Sequence, residues 1–308
     1  MPVIEVDNLV KRYDDVAVVD DVSFTVAKGE IFAILGTNGA GKTTTVESIA
    51  GLRQPDGGRI SVLGLDPHHD AAEMKERLGV QLQESSLPDR IKVWEALDLY
   101  SSFYRNPAHW PDLLDQLGLT EKRETKYAEL SGGQKQRLSI ALALVGNPEI
   151  AILDELTTGL DPQARRDTWA LVEQQRDRGV TIVLVTHFME EAERLADRVA
   201  LIDSGRLVAL DTPAGLVSRA DDEQRIRFRP SAPIDESELA ALPEVTGVNR
   251  VGEQIVVTGV GNVLHSVTSY MARNQVIAYE LRVEQVTLDD AFVALTGKTF
   301  QNPDNSEI

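Results

Sequence analysis

Two apolar patterns alternate along the chain. Unbroken runs such as Ile31-Phe32-Ala33-Ile34-Leu35, Ile150-Ala151-Ile152-Leu153 and Ile182-Val183-Leu184-Val185 read as strands covered on both faces. Between them, apolar residues recur at helical spacing over 43–50, 93–104, 112–117, 138–145, 163–178 and 188–196. Strand followed by helix, repeated, predicts a parallel sheet with helices packed on it. Weaker period-two alternation over 4–6, 23–26 and 59–62 predicts additional strands, with Lys28-Gly29 as a turn and Tyr13 between the first two. A short helix is expected over 73–78 and a strand over 79–83. Residues 198–202 and 206–209 form a hairpin across Asp203-Ser204-Gly205. The stretch from 84 to about 145, with its charged segment 121–129, reads as a mostly helical insertion between strands.

The pattern changes near 217–223, a polar linker. Beyond it comes β-α-β-β-α-β-α: strands over 225–229, 245–251, 254–258 and 276–283, helices over 235–242 and 263–273, and a last helix over 288–295 capped by Thr287. That order predicts a small ferredoxin-like split βαβ unit. The expected division is 1–219 (with the helical insertion at 84–145), 220–298, and a disordered tail at 299–308.

Composition narrows the function classes. At 308 residues there is room for one large and one small domain. No apolar run approaches the ~20 residues of a membrane-spanning helix, and no basic segment precedes an apolar one at the start, so no secretory leader is expected. The absence of cysteine excludes disulfides, thiolate metal sites and a thiol nucleophile. A formal net charge of −18 disfavours broad binding to nucleic acid or anionic lipid.

The chemistry concentrates after the first buried strand. Gly36-Thr37-Asn38-Gly39-Ala40-Gly41-Lys42-Thr43-Thr44 satisfies every fixed position of the phosphate-loop pattern, with a strand before it and a helix after. Glycines let backbone N–H groups approach a polyphosphate, and the helix N-terminus adds partial positive charge. Lys42 would reach the outer phosphates and the Thr43 hydroxyl would ligate Mg²⁺. Ser131 and Gly132-Gly133 open another helix; an ordinary Ser cap explains the first but not the two glycines, which cost helix stability, so a second anion-facing helix tip is expected. Asp154-Glu155 end a buried strand, one acid on the Mg²⁺ side and one free to act on water. His187 ends the next strand; alone it would read as a satisfied core or rim histidine, but after the carboxylate strand it is placed to donate to a phosphate. Tyr13 offers an aromatic face for a purine, or is simply a half-buried turn residue.

Taken in order, Gly36 to Thr43, Gln83, Leu130 to Gln134, Asp154-Glu155, Thr158-Gly159-Leu160-Asp161 and His187 form a set that resembles the ATP-binding domain of ABC transporters, over residues 3 to about 217. The 93–104 stretch and the C-terminal unit ending Thr287-Leu288-Asp289-Asp290-Ala291-Phe292 are similar to the ABC-2-type drug or antibiotic exporters, the daunorubicin-resistance-like branch. The resemblance implies a P-loop NTPase (RecA-like) α/β core with an antiparallel β subdomain. It implies an ATPase with ATP and Mg²⁺, in which Tyr13 stacks on adenine and Lys42 and the loop amides hold the phosphates. Thr43, Gln83 and Asp154 serve the metal, Glu155 polarises water, and His187 clamps the γ-phosphate. Ser131, Gly133 and Asp161 would meet the nucleotide and surface of a second copy in a head-to-tail dimer. An integral-membrane permease is the expected partner at the cytoplasmic face of the membrane: the 84–127 region would press on it, and the permease would make most of the contacts to the transported molecule. The alternative, a non-transport relative acting on a nucleoprotein, is disfavoured by the short 83–131 spacing, the single nucleotide motif set and the acidic balance. Leu156 departs from the family, which usually has Pro there; Leu frees φ, restores an N–H and is expected to loosen the turn that follows.

Overall fold

The computed structural model describes residues 1–82, 87–220, 223–284 and 287–297. The expected metal-side residue Gln83 and the expected tail at 299–308 lie outside them. The chain divides into two compact units, Met1–Pro213 and Ala214–Ile308. The division falls ahead of the expected 219/220 boundary. The first four residues of the linker expected at 217–223 belong to a helix, Pro213–Ala220, opening on a proline suited to a first helical turn.

In the first unit, β1 (Pro2–Tyr13), β2 (Val16–Ala27) and β4 (Gly57–Val62) form an antiparallel sheet in the order β2-β1-β4. Tyr13 ends β1, paired with Val16, rather than lying in a connection. The larger sheet runs β5-β6-β7-β3-β8-β9, from β3 (Ile31–Leu35), β5 (Leu78–Gln81), β6 (Ile150–Asp154), β7 (Thr181–Thr186), β8 (Arg198–Asp203) and β9 (Arg206–Asp211). Its first five strands are parallel, and β9 pairs antiparallel with β8. Every residue of β3, β6 and β7 is buried, as expected for strands covered on both faces.

Successive residues of these strands feed opposite cores. Ile31, Leu153 and Leu184 join Leu97 of α3 (Val93–Ser101), Leu114 of α4 (Trp110–Gln116), Leu138 of α5 (Gly132–Leu144) and Val172 of α6 (Pro162–Asp177). Phe32, Ile34, Ile152 and Val183 face the other way, onto Val46 and Ile49 of α1 (Lys42–Ile49), Met74 of α2 (Ala71–Lys75), and Val6 and Val22 of the antiparallel sheet. Full burial of each such side chain contributes roughly 1.5–3 kcal/mol. The expected helix at 73–78 ends at Lys75, because Leu78 is committed to pairing with Ile150 in the sheet. Two 3₁₀ turns, Thr120–Lys122 and Tyr127–Glu129, occupy the charged segment. α7 (Met189–Leu195) follows β7.

The second unit begins with α8 (Pro213–Ala220), which opens just before the division. It then contains β10 (Glu223–Pro230), α9 (Glu236–Ala240), β11 (Val245–Val251), β12 (Gln254–Val260), α10 (Val263–Arg273), β13 (Ala278–Glu284) and α11 (Leu288–Thr296). The antiparallel order β11-β12-β10-β13 is that of a split βαβ sheet. Ile226, Phe228, Ile255 and Val257 pack with Leu239, Val263, Val267 and Met271 of the helices. Among the described residues no helix is long and apolar enough to cross a membrane.

Candidate functional site

Strand register sets the site. Leu35 pairs with Thr186 and Asp154 with Val185, so the residues that follow, Gly36, Glu155 and His187, leave the same edge of the sheet side by side. The carboxyl ends of parallel strands are where such folds bind ligands.

The glycines are required at two loop positions. A Cβ on Gly36 would stand 2.2 Å from the Ile202 carbonyl oxygen. Gly41 caps α1 at φ 100°, and a Cβ there would stand 2.5 Å from the Val18 carbonyl oxygen. The loop is thereby pressed against β2 and the β8–β9 hairpin, whose Gly205 N–H donates to Ala40 O at 3.0 Å. Asn38 and Gly39 are exposed, Thr37 and Thr44 half-buried, and Thr43 presents its hydroxyl from the first turn of α1. Lys42 is buried and donates from Nζ to Gly36 O at 2.8 Å and Thr37 O at 3.1 Å. Burial lowers its pKa, opposed by the charges of Glu155 and Asp154. The lysine therefore rests on the loop's own carbonyls, where a phosphate oxygen would compete for it.

Asp154 is 1% exposed, and among the described residues neither carboxyl oxygen has a hydrogen-bond partner. Burial first, then the neighbouring Glu155 charge, push it up to about 6; Lys42 opposes this and the Thr43 hydroxyl biases it toward the ionised form. Glu155 is held differently. Its backbone is left-handed at φ 50°, its N–H donates to Val185 O at 2.8 Å, and its Oε1 lies 3.0 Å from His187 Nδ1. The contact to His187 holds its pKa below the usual carboxylate range. Thr158 Oγ1 lies 3.4 Å from Glu155 Oε2. The His187 ring lies against Phe188, centroids 4.1 Å apart. Leu156 is fully buried in the helical-side core, so it anchors the turn rather than loosening it as expected.

Ser131 and Asp161 form a separate group. Ser131 caps α5 in a reciprocal box: Gln134 N donates to its Oγ at 3.3 Å and Gln134 Oε1 accepts from its N–H at 3.0 Å. Asp161 caps α6 by accepting from Gln163 N and Ala164 N. Ser131, Gly132, Gly133, Gly159, Leu160 and Asp161 line an open cleft of about 250 Å³. Among the described residues, no phosphate-loop residue lines it, nor do Glu155 and His187. The glycines also have a packing role the sequence did not reveal, since a Cβ on Gly133 would meet Ala164 Cβ at 3.3 Å. Tyr13 is 38% exposed, with Lys11 Nζ 5.6 Å and Arg53 Cζ 5.4 Å from its ring centroid.

Sequence reasoning missed Glu191. It is fully buried on α7, where it accepts hydrogen bonds from Thr157 and Trp169. A signal existed: Phe188, Ala192 and Leu195 mark the buried face of that helix, and Glu191 falls on it.

The fold and the glycine cradle define a P-loop nucleoside triphosphatase. The ABC transporter family model matches residues 19–158. The chain is 41% identical to a Nod factor export ATP-binding protein I of Burkholderia pseudomallei (strain 1710b), over 80% of this chain and 83% of that one. It is 33% identical to the linearmycin resistance ATP-binding protein of Bacillus subtilis (strain 168), over 97% and 100% of the two chains. Among solved structures, a dimeric bacterial ABC transporter cassette superposes with a TM-score of 0.61 at 25% identity, covering 68% of this chain and 98% of that one. The chain belongs to the ATP-binding proteins of ABC transporters, and ATP hydrolysis is its activity.

Proposed function

We propose that two copies of this chain close head to tail around two ATP molecules and drive an integral-membrane permease that exports a drug-like, antibiotic or lipid-like molecule. The observation that carries this is the separation of the site into halves. Lys42, Asp154, Glu155 and His187 gather at one sheet edge, whereas Ser131, Gly133 and Asp161 line a cleft without them. A second copy would bring its Ser131 tip to the first copy's phosphate loop. The names of the relatives, export of Nod factor and resistance to linearmycin, support export. Work at the cytoplasmic face of the membrane, with no nucleic-acid partner, fits the net charge of −18.

The residues present fit Mg²⁺. Asp154 is a buried carboxyl with two unpartnered oxygens, beside an exposed Thr43 hydroxyl. These are hard oxygen ligands, and Mg²⁺ bound to phosphates usually keeps waters for the rest. When bound, the ion neutralises charge on the phosphates. Lys42 and the backbone N–H groups of the loop hold the phosphates, and Tyr13 provides the aromatic face for adenine. Glu155, held ionised by its contact with His187, takes the proton of the attacking water as the water oxygen bonds to the γ-phosphorus and the bond from that phosphorus to ADP breaks. His187, at the end of β7, donates to the γ-phosphate once ATP is bound.

Glu155→Gln with saturating ATP and Mg²⁺ is expected to convert the monomer to a dimer by light scattering, and Ser131→Arg to abolish turnover while ATP binding to the monomer persists. A Glu155→Gln chain that stays monomeric, with Ser131→Arg fully active, would overturn the reading.

A further inference from the structure

One buried carboxyl joins the segments that carry the hydrolytic residues. Glu191 Oε1 accepts from Thr157 Oγ1 at 3.0 Å and from Trp169 Nε1 at 3.1 Å. Thr157 is itself fully buried and lies two residues past Glu155, in the turn that ends at Asp161. Trp169 lies on α6, the helix that Asp161 caps. Glu191 lies on α7, the helix that His187 and Phe188 lead into. Three segments, each bearing one hydrolytic or interface residue, thus converge on one oxygen.

The position is costly for a carboxyl. Among the described residues its other oxygen, Oε2, is buried without a hydrogen-bond partner. Burial pushes its pKa up against the opposing influence of Thr186, Trp169 and Thr157, with Arg165 the nearby positive charge. An apolar side chain would fill this face of α7 without that cost. What Leu could not supply is an acceptor for two donors.

Those donors hold a strained turn. A non-glycine residue at φ 50° is strained and persists only where its surroundings over-determine it. The restraints on the Glu155 backbone include its N–H on Val185 O, the buried Leu156, and Thr157 tied to Glu191. We propose that Glu191 is a positioning residue for hydrolysis, holding through Thr157 and Trp169 the turn that keeps Glu155 against His187. It rests on the assignment of Glu155 to the attacking water.

The test compares full-length Glu191→Leu, Glu191→Gln and Thr157→Val in steady-state ATPase assays with Mg²⁺, alongside thermal melts. Leu removes the acceptor but keeps apolar volume. Its kcat is expected to fall about 10- to 100-fold, the scale of a displaced catalytic group, with KM within about twofold and no loss of melting temperature. Gln keeps an acceptor of the same shape and is expected to restore kcat to within about threefold. Thr157→Val removes one donor from an otherwise equal volume and should lower kcat with KM unchanged. Adding it to Glu191→Leu should cost nothing more. A folded Leu variant with parental kcat overturns the proposal, as does a Gln variant as slow as Leu. If Leu does not fold, Thr157→Val decides, and parental kcat there overturns it. A rise in KM at constant kcat would make Glu191 a support for nucleotide binding instead. Dimerisation of Glu155→Gln reads the two-copy arrangement separately, so either idea can fail alone.

Discussion

Glu155 Oε1 and His187 Nδ1 lie 3.0 Å apart at the ends of two adjacent parallel strands, β6 and β7, that α6 connects. The contact is the first cause of the low pKa of Glu155. His187→Ala therefore has a signed consequence. Without its partner the carboxyl titrates higher, and the ionised form needed to accept from water is lost at a higher pH. The acid limb of the kcat profile should move upward, and kcat at its optimum should fall by roughly 100-fold. An unmoved acid limb would detach Glu155 ionisation from activity.

Two loop glycines separate strain from collision. Gly39 has φ 78° but open space around a Cβ; Gly41 has φ 100° and the Val18 carbonyl 2.5 Å away. Gly39→Ala should cost about 1 kcal/mol, the left-handed penalty alone, and keep ATP binding. Gly41→Ala should cost more, displace β2 or the start of α1, and weaken ATP binding by at least about tenfold. Calorimetric melts and nucleotide titrations of the pair check this.

Asp154 makes the ligand-free protein pH-sensitive. Its pKa is raised from 3.8 in the unfolded chain to about 6 when folded. The folded state thus holds the proton more tightly. The stability this contributes is complete below pH 3.8 and is lost as pH rises through about 6, at most roughly 3 kcal/mol. Asp154→Asn should remove that loss. Relative to the parent, its stability in urea should rise between pH 4 and 7, while Mg²⁺-dependent strengthening of ATP binding disappears. A parallel pair of stability curves would show Asp154 ionised throughout.

Leu156 offers a simpler check. It is fully buried in the helical-side core. Leu156→Ala should cost about 2–5 kcal/mol and slow turnover by slackening the Glu155 turn, read by urea unfolding and kcat.

Much of the site is legible in the chain because its signals are local. The phosphate loop needs glycines and a lysine at fixed offsets, between an apolar run and a helix, and that string can be read without knowing its neighbours. The apolar runs at 31–35 and 150–153 likewise announced strands covered on both faces, and the β-α-β-β-α-β order after 223 announced the split sheet. Other features were hidden because they depend on partners far along the chain. Glu191 resembles Glu190 and Glu193 in type, and only helical phase hinted at its burial. Gly133 faces Ala164 of another helix, and residues 217–220 of the expected linker are helical.

By itself the sequence determined the elements, the glycine cradle and the order of the acids and the histidine, since period and steric need act over a few neighbouring residues. Only the tertiary structure decided that β6, β7 and β3 lie side by side, which brings Asp154, Glu155 and His187 to the Lys42 loop. It alone decided that Glu155 is left-handed, that Leu156 anchors, and that Ser131 with Asp161 forms a cleft apart from the loop. Hydrogen-bond register and close packing join residues more than a hundred positions apart, such as Leu35 and Thr186, and no local pattern carries that pairing.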